Sequence, residues 1–244
     1  MSDASFVFIA GVFVFAGFVK GLIGLGLPTV SMGFLAIVMP PVEAAALLLL
    51  PSLVTNVWQA VCGTSLRRAL LRLRVMMAAV CLGTWAGAGL MTGPSAHYGT
   101  LLLGIALALY ALSGLTSFRL AVSKKQEPLV GAAAGAITGI ITAATGVFVI
   151  PAVPYLEAAG LEKEELVQAL GLSFTVSTLA LAVNIGMAGA FDRTSAGMAA
   201  AALLSALGGM AAGQVVRERL SQTAFRRWFF AGLLLLGVYL AVHP

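Results

Sequence analysis

The 244 residues predict an all-α polytopic membrane protein of two homologous halves, each of four helices plus a broken or re-entrant segment, arranged as inverted repeats. Hydrophobic residues make up 60% of the chain against 9% charged, with a mean hydropathy of +1.03, more apolar surface than a soluble core can bury. Runs such as Phe6 to Val19 and Ala44 to Leu50 are apolar on every face, which excludes the alternating strands of a membrane barrel. Finally, the stretch Gly17 to Pro28 interrupts an apolar run with glycines and a proline. A looser copy recurs through Gly135, Gly139, Thr142, Thr145, Gly146 and Pro151.

In chain order, the first segment runs from Phe6 to Ile23, breaks over Gly24 to Pro28 and resumes as a short piece from Thr29 to Met39, ended by Pro40-Pro41. Helices follow over Val42–Val61, Val75–Met91 and Tyr98–Phe118, with an arginine-rich stretch after the first and a Gly93-Pro94-Ser95 turn after the second. Residues 123–128, with Lys124-Lys125-Gln126-Glu127-Pro128, form the polar linker between a first repeat, 1–122, and a second, 129–244. The second half repeats the plan: a broken helix over Leu129–Leu156, then helices over Leu166–Ala188, Ala196–Val216 and Phe225–Val242. Gly17-x-x-x-Gly21 answers Gly135-x-x-x-Gly139, Glu43-Ala44 answers Gln168-Ala169, and Gly83-x-x-x-Gly87 answers Gly209-x-x-x-Gly213. Small residues four apart let helix backbones approach closely in lipid.

The formal charge of +5 does not point to nucleic acid, because 11 of the 14 basic residues fall in three stretches between apolar runs. These are Arg67, Arg68, Arg72 and Arg74; Arg119, Lys124 and Lys125; and Arg217, Arg219, Arg226 and Arg227, a positive-inside pattern. If each broken segment crossed once, the third stretch would face the side opposite the other two. If each turns back at its break, every half has five segments, the halves are inverted, and all three stretches face the cytoplasm. The second arrangement is preferred. Its short pieces, Thr29–Met39 and Val147–Glu157, reach only about half a bilayer as helix, so they are re-entrant candidates. Trp58, Trp228, Tyr98 and Tyr239 fall near segment ends as interfacial anchors.

Two broken apolar segments at corresponding places in two halves point to the binding site of a transporter. Backbone freed at a membrane break presents N–H donors, which suit an anion, and the helix restarts after Gly26 and after Gly146 are expected to offer them. The candidate substrate-binding residues are Lys20, Gly24, Gly26, Thr29, Asn56, Gln59, Thr142, Thr145, Gly146 and Gln168. Lys20 is the one cation inside an apolar helix, readable either as a counter-charge for an anion or as an ammonium snorkelling to the interface. Ser52, Thr55, Asn56 and Gln59 share one helical face, which in lipid must turn toward other helices or water; for any one Ser or Thr, helix back-bonding is the simpler explanation. Glu43 opens its helix as a dipole-complementing acid or, in a sharper role, as a proton-coupling carboxylate.

With the repeat laid out, the chain resembles the sulfite exporter TauE/SafE family of bacterial membrane permeases over nearly its whole length. The resemblance rests on Gly17 to Gly26, on Pro41 and Ala44, on Thr145-Gly146-Val147-Phe148-Val149-Ile150-Pro151 and on Gln168-Ala169. It implies export or uptake of small sulfur anions such as sulfite, sulfoacetate or other organosulfonates by a secondary transporter of the bacterial inner membrane, an exporter as the first reading, binding at the two breaks near the membrane midplane. The alternatives are a passive anion channel or uniporter, or a permease for another small organic anion. An enzyme is disfavoured: the only histidines are His97 and His243, and Gly21 to Gly26 lacks the strand and acidic residue of a dinucleotide site. The expected partners are a small anion and the bilayer, with homo-oligomerisation open and nucleic acid excluded. No cofactor, no metal and no disulfide between Cys62 and Cys81 is expected.

Overall fold

A computed structural model describes residues 3–63, 65–116, 121–189, 194–217 and 219–243. Among them are ten α-helices and no strand: α1 (Asp3–Ile23), α2 (Leu27–Leu35), α3 (Pro41–Val61), α4 (Leu66–Ala86), α5 (Gly99–Leu115), α6 (Glu127–Thr145), α7 (Ala152–Ala158), α8 (Lys163–Met187), α9 (Thr194–Arg217) and α10 (Gln222–Val242). Eight are long and apolar enough to cross a bilayer, all but the short α2 and α7. Outward faces carry large apolar side chains, Leu129, Met187, Trp228 and Leu235 among them, as lipid requires.

Glycine and proline chemistry sets the two hairpins. The N–H of Gly24 closes on the Lys20 carbonyl at 2.8 Å, and Gly24 and Gly26 then adopt φ of 79° and 106°, a conformation without strain only for glycine. Leu27 restarts the chain as α2, with Pro28 in its first turn, where a missing N–H costs nothing. In the second half Gly146, at φ 71°, closes α6 on the Thr142 carbonyl. There the helix restarts at Ala152, not directly after Gly146: residues 147–151 are non-helical and end in a cis Ile150–Pro151 bond. A second correction concerns α4, which begins at Leu66 rather than Val75. The arginines at 67, 68, 72 and 74 are therefore on the helix itself.

Those arginines fix the direction of the helices. Arg68 pairs with Glu165 at 2.8 Å, Arg72 with Glu127 at 2.5 Å and Arg226 with Glu157 at 3.7 Å, while the Val122 N–H donates to the Ala158 carbonyl at 3.1 Å. The starts of α4, α6, α8 and α10 and the end of α7 thus meet at one end of the bundle, together with the 121–126 segment. Arg119 lies outside the described residues; the other residues of the three basic stretches gather at this end, which the positive-inside rule assigns to the cytoplasm. The first half enters at the far end and the second at the basic end, an order compatible with inverted repeats.

The packing follows the small-residue spacing. α1 lies along α9 and α4 along α6, so the first helix of each half packs on the fourth of the other, while α3 meets α8 and α5 meets α10. A methyl added at Gly17 would sit 2.1 Å from the Ala206 carbonyl oxygen, and one at Gly209 2.0 Å from that of Val14. The equivalent distances in the other crossing are 2.3 Å from Gly135 to Met76 and 2.2 Å from Gly83 to Ala136. The glycine motifs that correspond in sequence thus interlock the two halves in space.

Candidate functional site

Lys20 occupies the last turn of α1 and is 5% exposed. Its ammonium turns inward, not to the interface: Nζ donates to the Asn56 Oδ1 and, at 3.1 Å, to the Thr55 Oγ1. The Thr55 hydroxyl in turn donates to the Pro51 carbonyl at 2.7 Å, four residues back in α3. One turn further along, the Gln59 Nε2 donates to the Gly24 carbonyl at 3.2 Å and to the Val167 carbonyl at 3.0 Å, tying the elbow between α1 and α2 to α8. The polar face read on α3 therefore looks onto the first break. Ser52 Oγ, Asn56 Nδ2 and Gln59 Oε1 have no protein partner there. Among the described residues no carboxylate pairs with Lys20.

Above this floor lies a cleft of about 470 Å³. Lys20, Gly24, Thr55 and Gln59 line its depth, while Lys163 at the start of α8 and Arg217 at the end of α9 line its mouth on the basic end. The lining thus carries three cations, Lys20 in its depth and Lys163 and Arg217 at its mouth, against one carboxylate, Glu164. Such a cleft concentrates small anions. Lys163 and Arg217 were not among the residues expected from sequence, because the mouth is assembled from the ends of helices far apart in the chain. The only signal was their charge beside an apolar span.

The other candidates are placed differently. Gln168 borders the cleft at 1% exposure, but its Nε2 donates to the Ala60 carbonyl at 2.6 Å and its Oε1 accepts from the Ser65 N–H at 2.9 Å. Both ends of the amide are engaged in holding α8 to the corner between α3 and α4. Thr29 is buried and donates to the Gly26 carbonyl at 2.9 Å, inside the elbow. At the second break the Thr142 hydroxyl donates to the Thr138 carbonyl and that of Thr145 to the Ile141 carbonyl, each at 2.7 Å. Gly146 rests beside Met32 and Ala45, and Val147, Phe148 and Val149 are fully buried. Because α6 starts at the basic end, this break lies about 27 Å along the helix from it, toward the opposite end from the first. The two breaks do not converge on one site. Glu43 is exposed in the first turn of α3, about 24 Å along the helix from Gln59.

Cys62 and Cys81 are free thiols, and among the described residues no group of His, Cys, Asp or Glu is placed to hold a metal. The family model described as Sulfite exporter TauE/SafE matches residues 9–240. No curated protein and no solved structure matches the chain.

Proposed function

The chain belongs to the sulfite exporter TauE/SafE family, and from that premise we propose that it carries small sulfur oxyanions, sulfite or an organosulfonate such as sulfoacetate, out across the bacterial inner membrane. It is a multi-pass membrane protein of a transporter family. The anion enters from the cytoplasmic end, drawn by Lys163 and Arg217, and seats on the Lys20 ammonium, with Thr55 and the Gly24 elbow beside it.

One observation carries this reading: a buried ammonium on the floor of a cationic cleft, with only neutral groups for partners. A charge in the membrane interior needs compensation, and here the substrate supplies it. Sulfonate and sulfite oxygens are acceptors, matched by the third hydrogen of the Lys20 ammonium, the other two being taken by Asn56 and Thr55. The floor is closed by the bonds from Lys20 to α3 and from Gln59 to Gly24, which favours a carrier over an open channel. In proteoliposomes, wild-type protein is expected to move labelled sulfite or sulfoacetate, and Lys20→Met to lose at least about a hundredfold of that flux, as removal of a buried counter-charge predicts. Full flux through Lys20→Met would remove the seat from Lys20, and no flux of any sulfur anion through the wild type would remove the substrate class.

A further inference from the structure

We propose that Lys20 is also the proton-coupling group: the anion and one proton occupy the cleft floor together, the proton on Nζ, and cross together. The proposal rests on the reading of the cleft as the anion seat. It differs from the carboxylate role considered for Glu43, which stands exposed about 20 Å along α3 from the Asn56 that Lys20 bonds.

Geometry carries the inference. An ammonium has three hydrogens, and the Asn56 carbonyl and the Thr55 hydroxyl take two. Both acceptors are neutral, and among the described residues no carboxylate pairs with Lys20, Glu164 standing at the mouth of the cleft, so a seated anion brings the ammonium its counter-charge. With the anion seated, the third hydrogen has its acceptor and the charge is balanced. When the anion departs, a lone charge at 5% exposure is left, and loss of the proton relieves it. Anion and proton therefore stabilise one another on the site, and by linkage the effect is reciprocal. No bond forms to the anion: Nζ takes a proton on one side of the membrane and yields it on the other.

The surroundings leave the task to this residue. On α1 the only other charged residue is Asp3, at the far end of the helix. α2 carries none, α3 offers the remote Glu43, and the Cys62 thiol stands at the cleft just past the end of α3. From α8 come Lys163 and Glu164, both exposed at the mouth, and Glu165, which pairs with Arg68. α9 contributes Arg217, and on α10 Arg226 faces Glu157, with Arg227 beside it. None of these touches the Lys20 amine. Export of a doubly charged anion with one proton moves one net negative charge outward, so an inside-negative potential drives it while the proton gradient opposes it.

The test uses sulfoacetate, whose charge is constant across the neutral range, in proteoliposomes. Two quantities are read: exchange of internal for external anion at equal pH, and net uptake driven by an acidic exterior. Wild type is expected to do both. Lys20→Arg keeps a charge that is never released, so gradient-driven uptake should fall at least about tenfold further than exchange does. Asn56→Asp supplies a permanent counter-charge beside the ammonium, and should weaken exchange and uptake alike by about tenfold or more. Gradient-driven uptake by Lys20→Arg at the wild-type level overturns the proposal, as does Asn56→Asp that behaves as wild type. Wild-type exchange indifferent to the gradient also overturns it, yet leaves the anion seat standing. Absence of exchange in the wild type fails the substrate reading itself, and the coupling falls with it.

Discussion

The two breaks occupy corresponding places in the two halves, yet they are built of different chemistry. The first, at Gly24 to Gly26, stands beside a buried cation and two amides and borders a cleft. The second, from Gly146 to Pro151, has hydroxyls that donate back into α6, that of Thr145 also accepting from the Val147 N–H, and a run of buried Val147, Phe148 and Val149. Where the halves cross each other, by contrast, they are alike: glycine meets backbone at close to the same distance in both crossings. The two halves are thus alike where their helices cross and unlike in what stands at their breaks. The buried cation and its two amides come from the first half, and the second half supplies Lys163 and Arg217 at the mouth of the same cleft.

The largest effect expected on the fold tests the likeness. Gly17→Ala and Gly135→Ala each place a methyl within 2.3 Å of a carbonyl oxygen of the facing helix, so both should destabilise by about 2 kcal/mol or more. Thermal unfolding in detergent checks this, and a large loss at one position with none at the other would break the equivalence of the crossings. A smaller effect, confined to one break, is expected for Gln59→Leu. It frees the Gly24 carbonyl from α3, which should lower flux about tenfold with a stability change near 1 kcal/mol, the worth of a membrane hydrogen bond. Flux at the wild-type level would show that the elbow needs no such tether. The smallest effect belongs to the second break. Thr142→Val removes a hydroxyl bonded only to its own helix, so flux should stay within about twofold. A loss comparable to that of Lys20→Met would place the chemistry in both halves.

Much of this difference was hidden in the sequence. The eight spans, the Gly24 elbow, the basic end and the small-residue crossings were legible, because hydropathy, φ > 0 glycines, charge asymmetry and four-residue spacing are local signals. The start of α4 was not, since its arginines depress hydropathy although they sit on the helix, with Arg68 held by Glu165 and Arg72 by Glu127. Likewise, Val147 to Pro151 reads as apolar helix but is non-helical. Gln168 looks like a free amide in an apolar run and is in fact bonded at both ends. Lys163 and Arg217 join the site only through tertiary packing, which no local signal encodes.

Equilibrium binding of sulfoacetate to purified protein in detergent, by titration calorimetry on wild type, Lys20→Met and Thr142→Val, tests the central claim most directly. Binding lost by Lys20→Met and kept by Thr142→Val, with all three proteins folded, is the predicted result. Binding that survives in Lys20→Met and fails in Thr142→Val would contradict it and move the anion to the second break.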